Sequence, residues 1–130
     1  MRRVATFWRL SATDRRLLLQ AAATLAVCQL ALRFFDFQRL RRWAGRVRSG
    51  SGSVERITWA TRTAARSMPC VTCLGMAIAL QRLLGLHGHA SELKIGVAKT
   101  GQEVTAHAWL VVEGRTLIGE DNLDQYTQLA

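Results

Sequence analysis

Two hydrophobic periods divide the chain, a helical one up to about residue 88 and an alternating one after it. Residues 12–33 contain no Gly or Pro and are rich in Leu and Ala, which predicts a long helix. Ser11-Ala12-Thr13-Asp14 supplies its capping box, with the Ser11 hydroxyl accepting from the Asp14 N–H. The run from Leu17 to Leu32 is nearly apolar over a length that can cross a bilayer. Gln20, Thr24 and Gln29 interrupt it, and alanine contributes little insertion energy. A helix covered by protein is therefore the better reading, ahead of a membrane span or membrane-surface contact. Cys28 on this helix has the place of a small core hydrophobe.

Asp36 is placed to cap a second helix, Phe37 to Arg48, with Phe37, Leu40, Trp43 and Val47 at helical spacing. Its other face carries Arg39, Arg41, Arg42, Arg46 and Arg48 with no acid nearby. Ser49-Gly50-Ser51-Gly52-Ser53 has the composition of a flexible linker. Ser53 would cap a helix over 54–67, which Pro69 stops. The next helix starts at Thr72 or Cys73. Its stripe of Leu74, Ala77, Ile78, Leu80, Leu83 and Leu84 is wide enough to demand burial, and Gly85 and Gly88 end it.

Beyond that the period becomes two. Residues 91–98 read as a strand, Lys99 to Gln102 as a hairpin loop, 103–113 as a second strand turned by Gly114, and 115–118 as a third. The tail from Asp121 is polar, with Tyr126 and Leu129 expected to pack down. A cysteine-bearing helix on three antiparallel strands is an α+β fold. The expected organisation is a basic N-terminal helical arm for partner docking (1–48), a linker (49–53) and a working domain (54–130).

Charge sharpens that division. The chain carries a net +9, yet residues 1–66 hold 14 Lys+Arg against 3 Asp+Glu, and residues 67–130 hold 4 against 6. The arginines lack interleaved aromatic platforms or a readable motif, so nucleic acid is not an expected partner. Three cysteines make no disulfide framework, and the N-terminus lacks a signal-peptide pattern, so a cytoplasmic location is expected.

The candidate chemistry lies in the less basic half. Cys73 falls in the first turn of a helix, where free N–H groups and the dipole favour a thiolate. His107 lies on the second strand among Thr105, Trp109 and Val111, with the small Ala106 and Ala108 on the other face. A thiolate–imidazole pair usually has a third group that orients the imidazole. Asp121 follows the third strand and Glu120 beside it stays open by spacing; successive residues point to opposite faces, so only one should reach the imidazole, and Asp121 is favoured. Rival readings use the same cysteines. Cys70 and Cys73 with His87 and His89 have the ligand types of a zinc knuckle. Cys70-x-x-Cys73 could be a redox dithiol, but no strand precedes it. A non-enzymatic adaptor using the basic half, against a protein, a membrane surface or nucleic acid, is the alternative from another class.

Several stretches together resemble a known family. Met68-Pro69, the helix Cys73-Leu74-Gly75-Met76-Ala77-Ile78-Ala79-Leu80-Gln81-Arg82-Leu83-Leu84, Glu92-Leu93-Lys94-Ile95-Gly96-Val97 and Ala106-His107-Ala108-Trp109-Leu110 are similar to the lasso-peptide leader peptidases. These are transglutaminase-like cysteine proteases with a papain-like core. Residues 9–19 also resemble that family's opening segment, so the likeness covers nearly the whole chain. It implies a Cys-His-Asp triad of Cys73, His107 and Asp121, and no cofactor or metal. It further implies removal of the leader from a ribosomally made precursor, ahead of macrolactam closure by a separate cyclase. The chain resembles the split form, for which a small separate leader-recognition protein is the expected partner. Two departures from the family stand out. Cys70 is an additional thiol, and Gly75-Met76 replaces a pair that is often polar or basic.

Overall fold

The structure, a computed structural model, describes residue 9 and residues 11–68, 71–118 and 127–128; at 98–100, 103–107, 118, 127 and 128 it describes the backbone alone. Among the described residues from Ala12 onward, four helices precede a sheet. They are α1 (Ala12–Phe34), α2 (Phe37–Ala44), α3 (Val54–Arg66) and α4 (Cys73–Leu86). The strands are β1 (Glu92–Thr100), β2 (Glu103–Val112), β3 (Arg115–Ile118) and a short β4 (Thr127–Gln128). The result is the α+β architecture that the change of period predicts.

Local chemistry sets most boundaries. Ser11 accepts from the Asp14 N–H at 3.1 Å, Asp36 from Gln38 at 3.3 Å and Ser53 from Arg56 at 3.3 Å, capping α1, α2 and α3. The second helix is shorter than expected, ending at Ala44 with Gly45 as its C-cap. Tertiary contact takes over there: the Arg48 N–H donates to the Gly85 carbonyl at 2.8 Å. Gly88, at φ +87, ends α4, and the His89 N–H closes the turn onto the Leu84 carbonyl at 2.8 Å. Gly85 stays inside α4 and has another use. A Cβ there would collide with the Arg46 carbonyl, so its absence admits the chain that follows α2.

The sheet order is β3-β2-β1-β4, antiparallel at each pairing. The β1–β2 turn is Gly101-Gln102, with Thr100 opposite Glu103. The β2–β3 turn places Glu113 (φ 49) and Gly114 (φ 79) in left-handed conformations, the arrangement that suits a two-residue hairpin. β4 pairs Thr127 and Gln128 with Val97 and Gly96.

One hydrophobic core runs through helices and sheet. It joins Leu25 and Cys28 of α1, Leu40 of α2, Ile57 of α3, Leu80 and Leu84 of α4, and Leu93 and Leu110 of the sheet. The helices of segment 1–48 thus share a core with the rest, and 49–53 connects parts of that core. The linker is tied down as well, since His89 Nε2 lies 2.5 Å from the Gly52 carbonyl oxygen. The physical reason lies in α1, which is apolar on more than one side. It buries Ala21, Leu25, Cys28 and Ala31 and still exposes Leu19, Val27, Leu30 and Phe34. By length and composition α1 could cross a membrane; here its buried side packs on α3 and α4.

Candidate active site

Cys73 is the first residue of α4, and its thiol is exposed. Thr72 before it is extended (φ −90, ψ 164), and its hydroxyl accepts from the Gly75 N–H at 3.0 Å. That cap fixes where the helix begins. The apolar residues behind it, with Ala77, Ile78, Ala79 and Leu80 wholly buried, anchor α4 against the sheet and the other helices. The N–H groups of Cys73 and Leu74 have no acceptor among the described residues. Together with the positive end of the helix dipole, such groups suit an anion at this end of α4.

A residue that periodicity marks only as a break in an apolar run sits beside the cap. Gln29 of α1 accepts at Oε1 from the Thr72 N–H (3.3 Å) and the Thr72 hydroxyl (3.1 Å). A Cβ at Gly75 would collide with that same Gln29 amide. Gln20 meets the other end of α4, its Oε1 lying 3.3 Å from His87 Nε2. The two glutamines that interrupt the apolar run of α1 are thus its polar contacts with the two ends of α4. Periodicity records them only as breaks in a pattern.

The other candidate residues are placed to different extents. His107 lies on β2, its backbone opposite Gly96 of β1. On the same strand Ala108, Leu110 and Val112 are buried in the core that α4 completes. Asp121, Glu120 and Cys70 lie outside the described residues.

The sequence matches the transglutaminase-like superfamily over residues 15–130. The chain belongs to that superfamily. Its members are commonly cysteine proteases or transglutaminases, and the match is to the superfamily as a whole. No curated protein and no solved structure matches the chain. The matched span begins within α1, in keeping with the shared core.

Within this transglutaminase-like domain the remaining cysteine and the histidines have other surroundings. Cys28 is wholly buried, and burial pushes its thiol from 9.0 up to about 12, with nearby Arg82 pulling weakly the other way. His87 and His89 lie past the C-terminal end of α4, and Cys73 opens its N-terminal end. A helix of that length separates its ends by about 20 Å, so one zinc ion could not bind Cys73 and either histidine. The arginine face of α2 is partly committed internally. Arg41 donates to the Leu93 carbonyl at 3.2 Å, and Arg82 of α4, which feels the positive charges of Arg46 and Arg48 beyond the end of α2, stacks 4.4 Å above the Trp43 ring.

Proposed function

We propose that this transglutaminase-like domain is a cysteine peptidase that removes the leader from a lasso-peptide precursor. The observation that carries the reading is an exposed thiol on the first residue of an otherwise buried helix, in a chain of this superfamily. Cys73 attacks the scissile carbonyl, and His107 takes the thiol proton and returns it to the departing amine. Water then hydrolyses the thioester, and Asp121 holds the imidazole. The free N–H groups at the start of α4 suit the oxyanion.

Chain direction supports pairing Cys73 with His107. The C-terminal half of α4 lies at the start of β1, where Gln81 donates to the Ser91 carbonyl at 3.3 Å. From Gln81, α4 extends about 12 Å to Cys73. Along β1 it is about 13 Å from Glu92 to Gly96, the partner of His107. An α4 that runs antiparallel to β1 would bring the helix start and the histidine toward the same end of the sheet.

The leader peptide, a small separate leader-recognition protein and the cyclase are the partners of this reading, and the cytoplasm is its compartment. The exposed side of α1, with Leu30 60% and Phe34 76% accessible beside the exposed Arg33, offers the recognition protein a docking face.

The test is precursor cleavage with the partner present, followed by mass spectrometry. Cys73→Ala and His107→Ala should each lower the rate about a thousandfold or more, while Cys70→Ala should not. Full activity of Cys73→Ala would sink the mechanism, and no cleavage by the parent protein would favour the adaptor reading.

A further inference from the structure

We propose that Gln29, on the long N-terminal helix, is a positioning residue for the Cys73 thiol. The inference rests on the reading of Cys73 as the working thiol. Gln29 Oε1 accepts from both the N–H and the hydroxyl of Thr72. A hydroxyl has one proton. By taking it, Gln29 turns the oxygen's lone pairs toward the Gly75 N–H, which is the bond that caps α4. The cap is therefore a relay of three residues: α1 amide, Thr72 hydroxyl, first turn of α4. Cys73 stands between Thr72 and Gly75 and takes its backbone direction from that turn.

Two further observations point the same way. Gly75 is the residue whose missing side chain leaves room for the Gln29 amide, so the relay needs both positions as they are. Gln29 also comes from a helix whose neighbouring Cys28 and Leu25 are wholly buried, so its backbone is held by the core. A side chain on rigid backbone can hold a cap in one geometry, which a free surface glutamine could not do. The N–H groups of Cys73 and Leu74 have no acceptor among the described residues, as the first N–H groups of a helix have none within it.

The test reads the thiol itself. Cys73 in the full-length protein is alkylated with iodoacetamide across roughly pH 5 to 9, and its modification is followed by peptide mass spectrometry. Gln29→Met keeps the bulk and removes the acceptor; it should slow Cys73 alkylation at neutral pH about fivefold. Thr72→Val and Gly75→Ala should do the same, and Thr72→Ser should retain the parent rate. Gln29→Met combined with Thr72→Val should cost no more than the larger single change, because both break one relay.

An unchanged or faster Cys73 alkylation profile in Gln29→Met, even with a lower melting temperature, reduces Gln29 to a packing residue and overturns the proposal. Should Gln29→Met fail to fold, an unchanged profile in both Thr72→Val and Gly75→Ala overturns it equally. The peptidase reading fails on a different result, intact precursor cleavage by Cys73→Ala.

Discussion

Among the described residues, the interior of the helical layer and the N-terminal rim of α4 each hold one thiol, and the two could hardly differ more. Cys28 sits mid-helix on α1 among Leu25, Ile78 and their neighbours, wholly buried and held protonated by burial. Cys73 opens a helix, exposed, beside free N–H groups and a cap fixed from another helix. The same side chain is an inert filler in one place and a candidate nucleophile in the other. Position along the helix and the packing of its surroundings make that difference.

The contrast can be broken or sharpened by experiment. The largest expected effect is in reactivity. Cys73 should react with iodoacetamide about a hundredfold faster than Cys28 in the native protein, and the gap should close in denaturant. Equal native rates would erase the distinction. Next comes the core itself. Leu25→Ala should cost about 2–5 kcal/mol in urea unfolding, as much as Leu80→Ala, because both lie in one fully buried cluster. A cost for Leu25→Ala below about 1 kcal/mol would make α1 peripheral.

A smaller effect belongs to alkaline pH. The folded state holds the Cys28 proton more tightly, its pKa standing near 12 against an ordinary 9.0. That contribution to stability is full below pH 9.0 and shrinks as pH rises toward 12. Urea unfolding at rising pH should show the loss in the parent and less of it in Cys28→Ala; identical slopes would sever burial from the titration.

The smallest effect is on the surface. Arg56 lies 2.5 Å from Asp14, and this hydrogen bond holds the Asp14 carboxyl below its ordinary 3.8. The pair's contribution is present above that value and lost as pH falls through the lower folded one, so Arg56→Ala should slightly blunt the acid transition. A shift comparable to that of Leu25→Ala would overturn the ranking of core above surface.

Much of this molecule is legible in its sequence, because helix starts, hairpins and alternation are written within five or so neighbouring residues. Ser11, Asp36 and Ser53 all cap where their spacing places them, and the helix expected to start at Thr72 or Cys73 starts at Cys73. Cys73 at a helix start and His107 on a strand follow from the same local rules. Asp121 and Glu120 lie outside the described residues, so the third site position stands as sequence reasoning left it. The two-residue β4 was out of reach, since so short a strand shows no alternation and exists only by pairing with β1. The end of α2 at Ala44 was likewise set from elsewhere, by the chain turning onto Gly85. Above all, tertiary structure decided what α1 packs on. Its glutamines stand in the sequence only as breaks in an apolar run. Only the packing of α1 on α4 brings Gln29 to the cap of the Cys73 helix, across 43 residues of chain.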